Sequence, residues 1–139
     1  LATIDNLIRR GLYMVNRCVL CKRACETRNH LFFQCPVSSS IWSEILSWIA
    51  IPSRSNNLKE LIWIMNRRHK KHWKALWYNC CLAAAVYHIW RARNQFIFQE
   101  KPIDQAHILA SIRFEIYVRF LKTVNIKDRS LVINQIGGF

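Results

Sequence analysis

Glycine and proline are scarce in this chain, with three of each among 139 residues. That scarcity speaks against a fold of many tight turns and favours long helices. Acids are scarce as well: three Asp and five Glu stand against 21 Lys and Arg, a formal net charge of +13. No two acids are adjacent. The clustered carboxylates that hold two Mg²⁺ for polynucleotide synthesis or ribonuclease H cleavage are therefore missing, and no glycine-rich phosphate loop is present. No apolar run reaches the ~18 residues of a membrane span. The stretch from Cys80 to Ile89 comes nearest but stops at Arg91 and Arg93. The opening LATIDNLIRRG has neither the apolar region nor the cleavage site of a signal peptide. The chain is expected not to be an enzyme, to have no small-molecule substrate, and to involve no membrane.

What is present is apolar, aromatic and basic. Hydrophobic residues make up 52% and aromatics 12% of the chain, enough for one small core and too much for a disordered tail. A positive excess of this size repels itself unless something anionic lies near, and nucleic acid is the commonest such partner. The six cysteines do not read as three disulfides, because Cys80 and Cys81 are adjacent and three others carry metal spacing. A reducing compartment, nucleus or cytosol, is expected.

The metal spacing is Cys18-x2-Cys21, eight residues, His30-x4-Cys35. Two thiols two apart can point at one centre, and a His and a third Cys can close a tetrahedron around it. Three soft thiolates and an imidazole suit Zn²⁺, and four protein ligands leave no position open for water, so the site reads as structural. Cys25 is an alternative ligand. The loop from Cys21 to His30 carries Lys22, Arg23, Glu26 and Arg28 and is expected to stand in solvent. Phe32 and Phe33 are expected to pack beneath the metal, the alternative being that one stacks on a base.

Around this knuckle the apolar spacing predicts mainly α structure with little β: a small zinc knuckle followed by a bundle of about four helices. A first helix over 1–10 is expected to be capped by Thr3 or Asp5 and stopped by Gly11, and 12–15 could pair as a short strand. A helix over 38–50 has Ile41, Trp42, Ile45, Leu46, Trp48 and Ile49 on one face, with Pro36 near its start. Further helices are expected over 58–66, over 75–98 with a seam of Leu76, Cys80, Ala83, Ala84, Tyr87 and Trp90, and over 105–122 with Asp104 as cap and Ile108, Leu109, Ile112, Ile116 and Phe120 as stripe. A short strand is conceivable over 130–136. The organisation reads as a zinc-binding module with its following helix, 1–52, and a basic helical region, 53–139, packed on it as one cooperative unit. The first helix looks cut short, as in a fragment of something longer.

The densest basic run is Arg67-Arg68-His69-Lys70-Lys71-His72-Trp73-Lys74. It is either a solvated junction or a phosphate-contacting patch with a Trp able to stack. His69 and His72 lack a Cys or carboxylate beside them, which argues against a second metal. Arg91 and Arg93 near the end of the long helix complement its dipole and could reach phosphates.

Two phrases then resemble a known family. Leu1-Ala-Thr3-Ile-Asp5-Asn-Leu7, Cys18-x2-Cys21, Glu26-Thr27-x2-His30-Leu-Phe-Phe-x-Cys35-Pro36 and Ile41-Trp42 resemble the zinc-binding domain of plant non-LTR (LINE-type) retrotransposon reverse transcriptases. Ile89-Trp90-Arg91-x-Arg93-Asn94-x2-Ile97-Phe98 resembles the helix that follows in those proteins. The resemblance implies zinc at Cys18, Cys21, His30 and Cys35 in a nucleic-acid-handling module attached to a polymerase. That family's domain begins some tens of residues earlier, and 101–139 lack its ribonuclease H pattern. A truncated copy, domesticated by its host, fits those departures.

Two functions follow as expectations. The first is a non-catalytic, zinc-stabilised nucleic-acid-binding module for RNA above all, or single-stranded or junction DNA. Arg17, Lys22, Arg23 and Arg28 would contact phosphates around the knuckle, and Arg67, Arg68, Lys70, Lys71, Trp73, Lys74, Arg91 and Arg93 would extend the surface. The second is a co-opted protein-interaction domain that binds its partner through an aromatic and basic surface. Exposed Trp48, Trp63 or Trp77 would favour it.

Overall fold

The computed structural model describes residues 2–49, 60 and 72–123. Among them the architecture is mainly helical, with no strand, and the stretch from Arg10 to Thr27 is turns and irregular chain. Helix α1 spans Ile4–Arg9, a π-turn spans His30–Gln34, and α2 (Pro36–Trp48), α3 (His72–Gln99) and α4 (Gln105–Thr123) follow. The expected helix over 58–66 and strand over 130–136 lie outside the described residues, Glu60 apart.

Local chemistry explains the boundaries. Pro36 opens α2, where its missing N–H is no loss. The α3 helix ends where Glu100 enters the left-handed region (φ 53°) and Lys101 N–H bonds back to the Gln95 carbonyl. Asp104 caps α4, its carboxylate accepting the His107 N–H at 3.1 Å. Gly11, at φ 91°, turns the chain out of α1.

The long helices α3 and α4 pack along each other, and α2 packs on both and on the π-turn. One continuous apolar cluster runs from Cys18, Leu31, Phe32 and Phe33 through Ile41, Trp42, Ile45 and Leu46 to Ile89, Ile112 and Ile116. The expected faces of α2 and α4 are the buried ones, at Ile41, Trp42, Ile45, Leu46 and Ile49 and at Ile108, Ile112 and Ile116.

Two expectations are corrected. Among the described side chains the buried seam of α3 is Trp77, Tyr78, Cys81, Ala84, Ala85, His88 and Ile89; of the expected seam Ala84 is buried, Cys80 and Trp90 are half-buried, Ala83 and Tyr87 face solvent, and the Leu76 side chain lies outside the described residues. This helix is apolar nearly all round, so periodicity alone left the face undetermined by about one residue, ~100° of rotation. Residues 12–15 are not a strand. Leu12 and Val15 are 53% and 79% exposed, and no strand among the described residues pairs with them.

Candidate metal centre

Cys18, Cys21, His30 and Cys35 converge. Their four ligand atoms lie within 4.8 Å of one another. Cys18 Sγ and Cys35 Sγ are 4.0 Å apart, and Cys21 Sγ and His30 Nε2 are 3.4 Å apart. Zinc–sulfur and zinc–nitrogen bonds of about 2.3 and 2.05 Å at tetrahedral angles give S···S and S···N edges of about 3.8 and 3.6 Å. The geometry and the donor set both fit a tetrahedral metal ion. Cys25 is exposed and outside the group, which corrects the alternative that it serves as ligand.

Two backbone devices aim these side chains. The first is the Cys18–Cys21 turn, closed by Lys22 N–H to the Cys18 carbonyl (2.8 Å) and Cys18 N–H to the Ala24 carbonyl (2.7 Å). Closure puts Lys22 at φ 56°, a conformation glycine adopts more readily. The second is the π-turn. In an α-helix, residues five apart point about 140° away from each other. Here Cys35 N–H bonds the His30 carbonyl at 2.7 Å, an i to i+5 bond that brings His30 and Cys35 to one centre. The α2 helix secures the turn: Ser38 Oγ donates to the Leu31 carbonyl (2.5 Å) and Trp42 Nε1 to the Phe32 carbonyl (2.6 Å). Phe32 and Phe33 are buried beneath the centre, Phe33 stacked on Trp42 at 5.6 Å, as core side chains.

The hydrogen bond from Cys18 Sγ to Cys35 Sγ holds the Cys18 thiol above its ordinary range, burial adding to the effect. The same bond holds Cys35 below its ordinary range. Burial pushes the Cys80 and Cys81 thiols up, as for inert core cysteines.

Beside the centre lies a feature the sequence reading missed. Glu26, expected in solvent, is fully buried. Its Oε1 accepts the Ile4 N–H (3.0 Å) and Arg93 Nη2 (2.8 Å), and its Oε2 faces Arg93 Nε at 3.4 Å. The Glu26 backbone N–H donates to Asn16 Oδ1 at 2.8 Å. The Glu26 side chain thus joins the start of α1 to the long helix, while its backbone N–H ties it into the knuckle. The Arg93 guanidinium also lies 4.8 Å from the Trp90 ring centroid. Arg93 is therefore buried and taken, and is corrected from a phosphate contact to a structural ion pair. The sequence marks Glu26 only as the lone acid between Asp5 and Glu44, which does not by itself point to burial.

Of the other predicted contacts, Arg17, Lys22, Arg23, Arg28 and Arg91 are exposed. Lys22 also reaches over the Phe96 ring at 5.4 Å. Arg67, Arg68, Lys70 and Lys71 lie outside the described residues. Trp73 and Lys74 fall on α3, and their side chains are likewise outside the description.

Residues 1–42 match the family described as zinc-binding in reverse transcriptase. That match contains all four converging residues and Glu26, and stops short of Arg93. No curated protein and no solved structure matches the chain. Among the described residues no helix is long and apolar enough to cross a membrane.

Proposed function

We propose that this chain is a zinc-stabilised, non-catalytic nucleic-acid-binding module descended from a plant LINE-type reverse transcriptase. Cys18, Cys21, His30 and Cys35 would hold the ion, which supplies a cross-link with no open coordination position. The observation that carries the reading is the charge left on the knuckle. Arg10, Arg17, Lys22, Arg23 and Arg28 are all exposed there, beside Arg9, which is exposed and paired with Asp5. The two acids of this region, Asp5 and Glu26, are already engaged by Arg9 and Arg93. Phosphate contact by such a surface is sequence-neutral and salt-sensitive, and RNA fits best because the sequence carries no helix–turn–helix pattern. The basic run 67–74 would extend it.

The test is binding of zinc-loaded protein to labelled single-stranded RNA and duplex DNA across a salt series. Tight RNA binding with a steep negative log–log slope supports the module, and weak, salt-insensitive binding rejects it.

A protein-interaction role has one observation in its favour: Leu12, Tyr13, Met14 and Val15 are exposed side by side. The tryptophans expected to mark such a surface do not favour it. Trp77 is buried and Trp48 is half-buried against it at 5.5 Å, while Trp63 lies outside the described residues.

A further inference from the structure

A cleft of about 400 Å³ opens between α1 and the π-turn. Asp5, Asn6 and Arg9 form one wall, Arg28 and Asn29 the other, and Phe32, Phe33 and Val86 the floor. Its size falls within the ~300–1,000 Å³ typical of small-ligand sites. Its composition is selective. Val86 is the accessible part of that floor, an apolar spot on which the face of a planar heterocycle can rest, with the buried Phe32 and Phe33 behind it. Two carboxamides at the walls suit its edge, since Asn pairs donor and acceptor with a base. Two guanidiniums at the rim suit a phosphate.

The side chains are disposed for use. Asn29 precedes the π-turn without its side chain capping it. Asn6 is steadied by its Nδ2 donating to Thr3 Oγ1 at 2.9 Å. Arg28 is exposed, and no carboxylate pairs with it among the described residues. Arg9 is 72% exposed and gives Nη2 to Asp5 at 2.8 Å; four of the five guanidinium N–H groups lie beyond that one bond. The one acid on the wall, Asp5, is held by Thr3 and Arg9.

We propose that this cleft receives one unpaired nucleotide of a single strand, its base over the Val86 floor with its edge at Asn29, its phosphate between Arg9 and Arg28. This rests on the nucleic-acid reading above and gives it a place. It also gives a reason for a single-strand preference, because a paired base would first have to unpair and unstack, at a cost of a few kcal/mol.

The test uses the full zinc-loaded chain with a labelled 12-nucleotide RNA, its duplex, and free AMP and UMP. Asn29→Ala removes no charge. It is expected to lower single-strand affinity about tenfold with an unchanged salt slope, and to leave duplex binding alone. Arg28→Ala is expected to lower affinity and flatten the slope by about 0.7. Val86→Trp, which fills the floor, should act like Asn29→Ala. If Asn29→Ala and Val86→Trp bind RNA as the parent does while Arg28→Ala still weakens it, the cleft proposal is overturned and the electrostatic module stands. If the parent does not bind RNA, both fall. Free mononucleotides binding as tightly as the strand would overturn the in-strand assignment.

Discussion

The knuckle and the helical bundle are stabilised by opposite means. The bundle buries aliphatic and aromatic side chains along α2, α3 and α4, a non-directional source of stability that scales with area. Residues 2–30 contribute little to that cluster, with Ile4 and Cys18 among their few buried apolar groups. They are held at points instead: the four-residue centre and the Glu26 junction. Point contacts are directional and are lost whole when one partner goes, whereas truncating one core side chain removes only its share of the buried area. The knuckle therefore depends on the bundle, because Arg93, half of its main polar anchor, comes from α3.

The largest effect should come from removing the metal. Structural zinc in small peptides contributes about 10–16 kcal/mol of apparent binding free energy. Chelation is expected to abolish protection in residues 2–35 while α3 and α4 stay helical. The sequence alone suggests that the damage ends there. The Glu26 junction predicts that amide exchange also rises around Trp90–Asn94, and unchanged exchange at those residues would break the link between the two regions.

Next in size is Arg93→Ala. It leaves Glu26 buried and unpaired, at about 3–5 kcal/mol. Urea denaturation of Glu26→Leu/Arg93→Met should show the double variant more stable than Arg93→Ala, because no lone charge remains. A double variant as unstable as the single would mean that packing, not charge, sets the loss. In the bundle, Ile112→Ala should destabilise by about 3 kcal/mol through the cavity it leaves. Metal affinity, followed by competition with a chromogenic chelator, should barely change. A matching drop in affinity would erase the distinction between the regions.

The smallest effect sharpens the picture at α1. Burial pushes the Asp5 carboxyl up, but hydrogen bonds from Thr3 and Arg9 outweigh it and hold the group below its ordinary 3.8. A carboxyl depressed on folding stabilises at pH values above its unfolded pKa and loses that contribution as pH falls through the folded value. Asp5→Asn should therefore cost about 0.5 kcal/mol at pH 7 and nothing at strongly acid pH. Equal losses at both would show that shape rather than charge matters there.

Much of the bundle was legible in the sequence because burial follows periodicity. The faces of α2 and α4 and the Asp104 cap were all readable. The face of α3 was not, since Ala, Val, Tyr and Trp lie on every side of it. The four converging residues were legible because thiol and imidazole spacing has few other uses. Glu26 was not legible, since a carboxylate amid Lys22, Arg23 and Arg28 reads as solvated, and its partner lies 67 positions away. Arg93 misled for the same reason: a cation near a helix end reads as free until the opposite charge is located in space.

The Glu26–Arg93 pair also has an evolutionary consequence. It couples two positions 67 residues apart, so a change at one is expected to select for a change at the other. A descendant that replaces the acid at position 26 should be found with the arginine at 93 replaced as well, because the intermediate carrying only one of them has a lone buried charge. Truncation between positions 26 and 93 is expected to destabilise the knuckle unless Glu26 is replaced as well.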